Sequence, residues 1–325
     1  MLIKSLLIKL RVSVSFIASI FFALPVAAAT VVISNERSGD LLFMDETGDT
    51  IDVIALCGRP RGMVWHSSGS VLFIACSDDN KVVEFDLESK QPIREFSNIE
   101  GAMSLALHEP SNRLIISNEG AAKATVLNTV TGEVLASLAT GLEPDGVVVT
   151  PDGSLIFVAS ENAGMVHIFD GVTYAPVKNL ITNLRPRRLA IRGNELWVSS
   201  EMGSRVEIFD TTKLAKIDEI IFAPRGFRSE QLTPVDILFD HSGETGFVAL
   251  GSANHVVIVD AITREILKYI LVGHRPWGLG LTPDGKHLFV LNGRSDDVTI
   301  IDIAARRPIR TSRTGLVPHA VEIVQ

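Results

Sequence analysis

The sequence predicts an all-β fold, a seven-bladed β-propeller of four-stranded antiparallel blades. Three observations carry that expectation. A strand closed by an Asp recurs at Asp45, Asp86, Asp170, Asp210, Asp260 and Asp302, with Asn128 in the same place once, at spacings of 41, 42, 42, 40, 50 and 42 residues. A strand-rich period of about 40–45 residues marks one propeller blade per repeat. One strand of each repeat is apolar almost throughout, as in V-L-F-I-A-C (71–76), L-I-F-V-A-S (155–160), L-W-V-S-S (196–200) and L-F-V-L-N (288–292). Such runs imply burial on both faces of the pleat, which a blade wedged between two neighbours supplies. The chain ends are also complementary. V-V-I-S after Thr30 matches a second strand and P-H-A-V-E-I-V (318–324) a first strand, so one blade combines three N-terminal strands with one C-terminal strand and closes the ring.

In chain order, residues 1–29 read as a secretory signal. Lys4, Lys9 and Arg11 precede an apolar stretch over 12–24, then Pro25 and Ala27-Ala28-Ala29, with cleavage expected before Thr30. A stretch of 13 residues falls short of the ~20 that span a bilayer. The expectation is therefore a periplasmic protein without a membrane span after cleavage, residues 30–325 forming the propeller. Further blades start near Arg61, Met103, Asp145, Arg187, Val235 and Trp277. The last full repeat shows how one is made. A strand over 278–281 meets the tight turn Pro283-Asp284-Gly285, where Pro presets φ and Gly supplies a positive one. A strand over 287–291, a polar loop over 292–297, a strand over 298–301 closed by Asp302, and a fourth strand over 307–311 follow. Each Asp marker is expected to bond turn N–H groups; calcium would need clustered oxygen ligands, and no D-x-D-x-D loop occurs. The 50-residue gap places an extra loop over 222–234, read either as a lid or as a tolerated insertion, with Arg225, Phe227 and Arg228 as its residues to watch.

The formal charge of −8 becomes −11 once Lys4, Lys9 and Arg11 are removed, and an acidic surface without a basic run makes nucleic acid a poor partner. Cys57 and Cys76 are the two cysteines. They have neither haem-attachment nor zinc spacing. The blade pattern puts both toward one face of neighbouring blades. Two separate buried thiols are the favoured reading, and a disulfide is the alternative an oxidising compartment permits. The eight histidines are dispersed, so no metal centre is expected. There is no G-x-S-x-G elbow or H-E-x-x-H helix.

L-F-V-L-N-G-R-S-D-D-V-T-I-I-D and G-L-G-L-T-P-D-G resemble the YVTN-type propeller repeat. The opening V-V-I-S-N-E-R-S-G-D, Arg59-Pro60-Arg61-Gly62, E-L-W-V-S-S-E (195–201), F-V-A-L-G-S-A-N (247–254) and Y-I-L-V-G-H-R-P-W (269–277) make the whole mature chain similar to the β-propeller proteins associated with PQQ-dependent catabolism. That resemblance implies an exported accessory role in alcohol oxidation, near a quinoprotein dehydrogenase and ABC-transporter components. It supplies no catalytic residues. The chain departs from the repeat at Asn128 and at Arg192-Gly193-Asn194, both of which preserve turn-making.

Strand order puts two sets of loops on one face. The starts of the first strands bring Arg61, Met103, Asp145, Arg187, Val235, Trp277 and His319 to the channel mouth, flanked by Arg59, Glu143, Arg185, Arg188, Asp236, His274 and Arg275. The loops after the second strands supply Glu36, Asp78, Glu119, Glu161 and Glu201. One reading is a binding funnel: Arg61, Arg187 and Arg275 hold a carboxylate ligand through bidentate bonds and Trp277 stacks on an aromatic ring. PQQ or an aromatic acid would suit it. The other reading is that each arginine pairs with a neighbouring blade's acid and locks the ring, so that an arginine left over, Arg188 or Arg275, would mark an anion site. Arg61, Arg187, Arg188, Arg275, Trp277, His319, Glu161 and Glu201 are thus the candidate ligand residues, with no catalytic residue and no cofactor assigned. Three functions compete: a non-catalytic binding or scaffold protein, a lactonase-like hydrolase in which Glu161 and His319 act as acid and base, and a redox-associated subunit. Fold alone does not choose among them.

Overall fold

Strand pairing is the direct outcome of the pattern above. The computed structural model describes residues 29–67 and 69–324; of the expected signal at 1–29, residues 1–28 lie outside them. Seven antiparallel sheets of four strands each follow one another around the ring. Blade 1 joins the last strand to the first three, in the order last, first, second, third, and blades 2 to 7 take the strands between them in consecutive fours. The closing blade pairs β1 (Thr30–Asn35) with β28 (Pro318–Val324), from Thr30 opposite Val324 to Asn35 opposite Pro318. Among the described residues the non-strand elements with regular bonding are four 3₁₀ turns, and no helix is long and apolar enough to cross a membrane.

The second strands are buried along nearly their whole length, as in β5 (Val71–Cys76) and β13 (Leu155–Ser160). The described apolar core divides into seven clusters, each between two adjacent blades. Phe43 of blade 1 meets Phe85 of blade 2, and Trp197 of blade 5 meets Phe239 of blade 6. Hydroxyls stitch the inner strands together: Ser34 donates to the Arg61 carbonyl at 2.7 Å, Ser77 to Ala102 at 2.8 Å and Ser199 to Val235 at 2.9 Å. The turn markers act as expected. Asp170 accepts from the N–H of Val172 and Thr173 at 2.9 and 2.7 Å, and Asn128 accepts from Val130 and Thr131, both at 2.9 Å.

The cysteines correct the sequence reading. Cys57 and Cys76 are joined in a disulfide, their Cα atoms 5.9 Å apart. Arg59 adopts a positive φ of 58°, which turns the crossover from blade 1 back so that Pro60 sits opposite Cys76. Residue spacing alone does not show this fold-back. The bond staples the closing blade to its neighbour. The loop over 222–234 is anchored: Phe222 and Leu232 are buried in the core between blades 5 and 6, and Phe227 meets the His255 ring edge-on at 5.4 Å.

Candidate functional site

Every first strand carries a register irregularity just after its start, between Pro60 and Met63, Ala102 and Leu105, Pro144 and Val147, Pro186 and Leu189, Pro234 and Ile237, and Pro276 and Leu279. Bulges of this kind re-aim side chains at the rims of closed sheets. Here they turn the residue after each start into the funnel. In blades 2, 4 and 7 the next residue is a glycine that approaches the adjacent blade closely: a Cβ on Gly62 would lie 2.5 Å from the Met103 carbonyl oxygen, one on Gly146 would overlap that of Arg187, and one on Gly278 would lie 2.7 Å from that of His319.

The structure brings the candidate arginines and acids together across blades. Arg187 lies 2.9 Å from Asp145, 3.2 Å from Glu161 and 3.4 Å from Glu201. Arg185 bridges Glu161 at 2.5 Å and Glu201 at 3.2 Å. Arg188 reaches Asp145 at 3.4 Å and donates to the Ser104 hydroxyl. Arg275 of blade 7 reaches Glu201 of blade 5 at 2.8 Å, over blade 6, which offers only Val235 and Gly251 at these registers. On the other side Arg61 bonds Glu119 at 2.6 Å and lies 3.5 Å from Glu36, which Arg59 also holds at 2.8 Å. Neither Arg188 nor Arg275 is left over.

Titration follows from this packing. Burial favours the neutral form of Asp145, but Arg188 and Arg187 overcome it and hold the carboxyl below its ordinary range. Glu161, also buried and beside the Asp145 carboxyl, is pushed up to about 7 against the pull of Arg187. Burial also lowers His319 well below the usual imidazole value, helped by Arg61 and Arg188, so it is neutral at pH 7. No hydrogen bond joins Glu161 to His319 among the described residues: Glu161 faces Arg185, Arg187 and Asp145, whereas His319 lies against Trp277 with ring centroids 6.0 Å apart.

The funnel is unequal around its circumference. Over blades 4 and 5 the carboxylates are saturated with guanidinium. Over blades 7, 1 and 2 the bonding is less complete: Arg275 Nε, Trp277 Nε1 and His319 Nδ1 are buried without a hydrogen-bond partner, and Arg61 Nε and Glu36 Oε2 meet only each other, as an ion pair at 3.5 Å. His319 is only 5% exposed. The guanidinium of Arg275 sits 5.9 Å from the centre of the Trp277 ring. An open cavity of about 1180 Å³ adjoins this sector, lined in part by Glu36, Arg37, Arg59, Trp277 and Arg294. Native interiors pair nearly all their buried polar groups, so this cluster points to acceptors supplied from outside. The sequence reading names Arg61, Arg275, Trp277 and His319 but does not single out this sector. Its one signal is Gly293, which stands where blades 1, 3, 4 and 5 carry Glu36, Glu119, Glu161 and Glu201.

Comparison with known proteins agrees with the architecture. No family model and no curated protein sequence matches the chain. Solved structures do match. The periplasmic gluconolactonase of Pseudomonas aeruginosa superposes with a TM-score of 0.77 at 16% identity, over 92% of this chain and 99% of that one. A putative 6-phosphogluconolactonase of Bacteroides fragilis gives 0.75 at 17%, over 92% and 98%. The hydrazine synthase of Kuenenia stuttgartiensis gives 0.72 at 15%, over 82% and 95%. At these identities the likeness establishes the seven-bladed fold and carries no residue roles.

Proposed function

We propose that the funnel sector over blades 7, 1 and 2 receives an oxygen-rich organic acid in its lactone form, and that the protein opens the lactone with water. The observation that carries this reading is the pair of unpartnered buried donors on Arg275 and Trp277, beside the unpartnered Nδ1 of His319. Donors without acceptors cost about 1–3 kcal/mol each, a cost that a ligand rich in carbonyl, carboxyl and hydroxyl oxygens removes. The N–H groups of Arg275 and Trp277 would hold the lactone carbonyl and stabilise the oxyanion that forms on it. His319, neutral because it is buried among guanidiniums, would accept the proton of the attacking water and return one to the ring oxygen as the C–O bond breaks. The propellers named as lactonases among the structural neighbours support the reaction class. Incubation with aldonolactones tests it: the expected result is ring opening above the spontaneous rate, lost in His319→Gln. A rate equal to the protein-free blank contradicts it.

A second reading is supported by Trp277 and by the sequence resemblance. In it the same sector binds a flat polycarboxylate such as PQQ, and the protein serves periplasmic PQQ-dependent alcohol oxidation beside a quinoprotein dehydrogenase or ABC-transporter components. A thermal shift with PQQ in the absence of lactone turnover selects this reading.

A further inference from the structure

Below the ion pairs the first strands enclose an axial chamber of about 250 Å³. At liquid density each water takes about 30 Å³, so the chamber has room for a file of several. His319 and Glu322, both on β28, line it, together with Arg188 and Asp236. Strand register sets Glu322 level with Val64, Ala106, Val148, Ala190, Leu238 and Gly280 of the other six blades. One carboxyl therefore interrupts a ring that is otherwise apolar. Its side chain makes no hydrogen bond or ion pair among the described residues, and burial with no neighbouring charge pushes it up to about 8. Asp236 is different: its two oxygens accept from the N–H of Ile237 at 3.0 Å and of Leu279 at 2.9 Å, and Arg188 lies in its field. The charged groups acting on His319 are Arg61, Arg188, Arg187 and Asp145. The chamber thus has an unpartnered imidazole nitrogen toward the funnel and an unpartnered carboxyl deeper in.

We propose that this chamber is a water-filled proton path joining His319 to Glu322, and that Glu322 passes the proton on toward the face opposite the funnel. The proposal rests on the hydrolytic reading. Opening a lactone adds one water; of its two protons, one ends on the former ring oxygen and the other, on the new carboxyl, ionises at neutral pH. One net proton must leave per turnover. With product bound in the funnel, the chamber gives His319 a route for that proton on the side away from the ligand. Because His319 is neutral, it takes up and hands on the proton without holding it, and Glu322 accepts it when ionised.

Two measurements on the full chain test the path, in wild type and in Glu322→Gln. Glu322→Leu, matching Leu238 of blade 6, replaces the glutamine variant if that one does not fold. The first is the pH–rate profile of aldonolactone opening. The wild type is expected to show a rising limb near pH 8 that the variant lacks, with a roughly tenfold lower rate. An unchanged profile in an active variant overturns the path. The second is the NMR titration of the His319 ring nitrogens without any lactone, assigned through His319→Gln. The wild type is expected to show an inflection near pH 8 that disappears in the variant. Identical curves overturn the path, even if lactones are turned over. Absent turnover with a coupled titration overturns the hydrolytic reading and leaves the proton linkage.

Discussion

Trp277 lies against the backbone of Gly293, on which a Cβ would overlap the indole ring. Four other blades carry a glutamate at that register and use it to bind arginine. Blade 7 gives up the acid, and the ring takes its place at the edge of the open cavity. Gly293→Glu, which restores the repeat, is expected to destabilise the protein by about 1–3 kcal/mol through overpacking and to abolish ligand binding. Denaturant unfolding and ligand titration of the variant check both outcomes.

Trp277→Phe keeps a ring and removes the unpartnered N–H. Stability without ligand should stay within about 1 kcal/mol of wild type, since the lost packing is offset by one fewer unsatisfied donor. Affinity for an aldonate should fall about tenfold, the equivalent of ~1.4 kcal/mol. Calorimetric titration alongside thermal unfolding separates the two effects.

Arg187 is the hub of the saturated side of the funnel. Arg187→Ala leaves Asp145, Glu161 and Glu201 without their shared partner, and stranding buried charge in this way costs about 3–5 kcal/mol. Arg187→Ala/Asp145→Asn/Glu161→Gln should recover part of that loss. A single variant as stable as wild type would show that the cluster does not lock the ring.

Most of the architecture was legible because propeller order is written in local signals: doubly apolar second strands, Asp-closed hairpins, and complementary ends. The residues after each first-strand start were legible as the funnel for the same reason. The pairing of those residues was not. Arg275 reaches Glu201 two blades away because blade 6 carries the uncharged Val235 and Gly251 at the registers of Arg187 and Glu201, a relation visible only when side-chain reach is added to register. The disulfide escaped because it depends on the positive φ of Arg59. Glu322 reads as an ordinary strand carboxylate until the seven first strands are aligned.

The Cys57–Cys76 bond closes a loop with a sequence separation of 19, for which chain entropy gives about 3 kcal/mol. The Cys57→Ser/Cys76→Ser variant should lose stability of that order. Wild type in reductant should converge on it, whereas a variant as stable as the oxidised protein would refute the staple.

Glu322 also sets a pH dependence. Its folded value, about 8, lies above the 4.5 of an ordinary glutamate, so the folded state holds a proton that the unfolded chain has lost. Stability falls as pH rises from about 4.5 to 8 and levels off above. Glu322→Gln should remove this slope, leaving the variant more stable than wild type at pH 8. Urea titrations from pH 4.5 to 8.5 measure it.

The central claim is that an oxygen-rich ligand completes the bonding of blades 7, 1 and 2. The most direct measurement is the indole ¹H–¹⁵N signal of Trp277, assigned through Trp277→Phe, during titration with gluconate and with PQQ. The account predicts a downfield proton shift for this indole as it gains an acceptor, with the signals of Trp65 and Trp197 unmoved. A saturating ligand that leaves the Trp277 resonance in place, or no response to either compound, would contradict it.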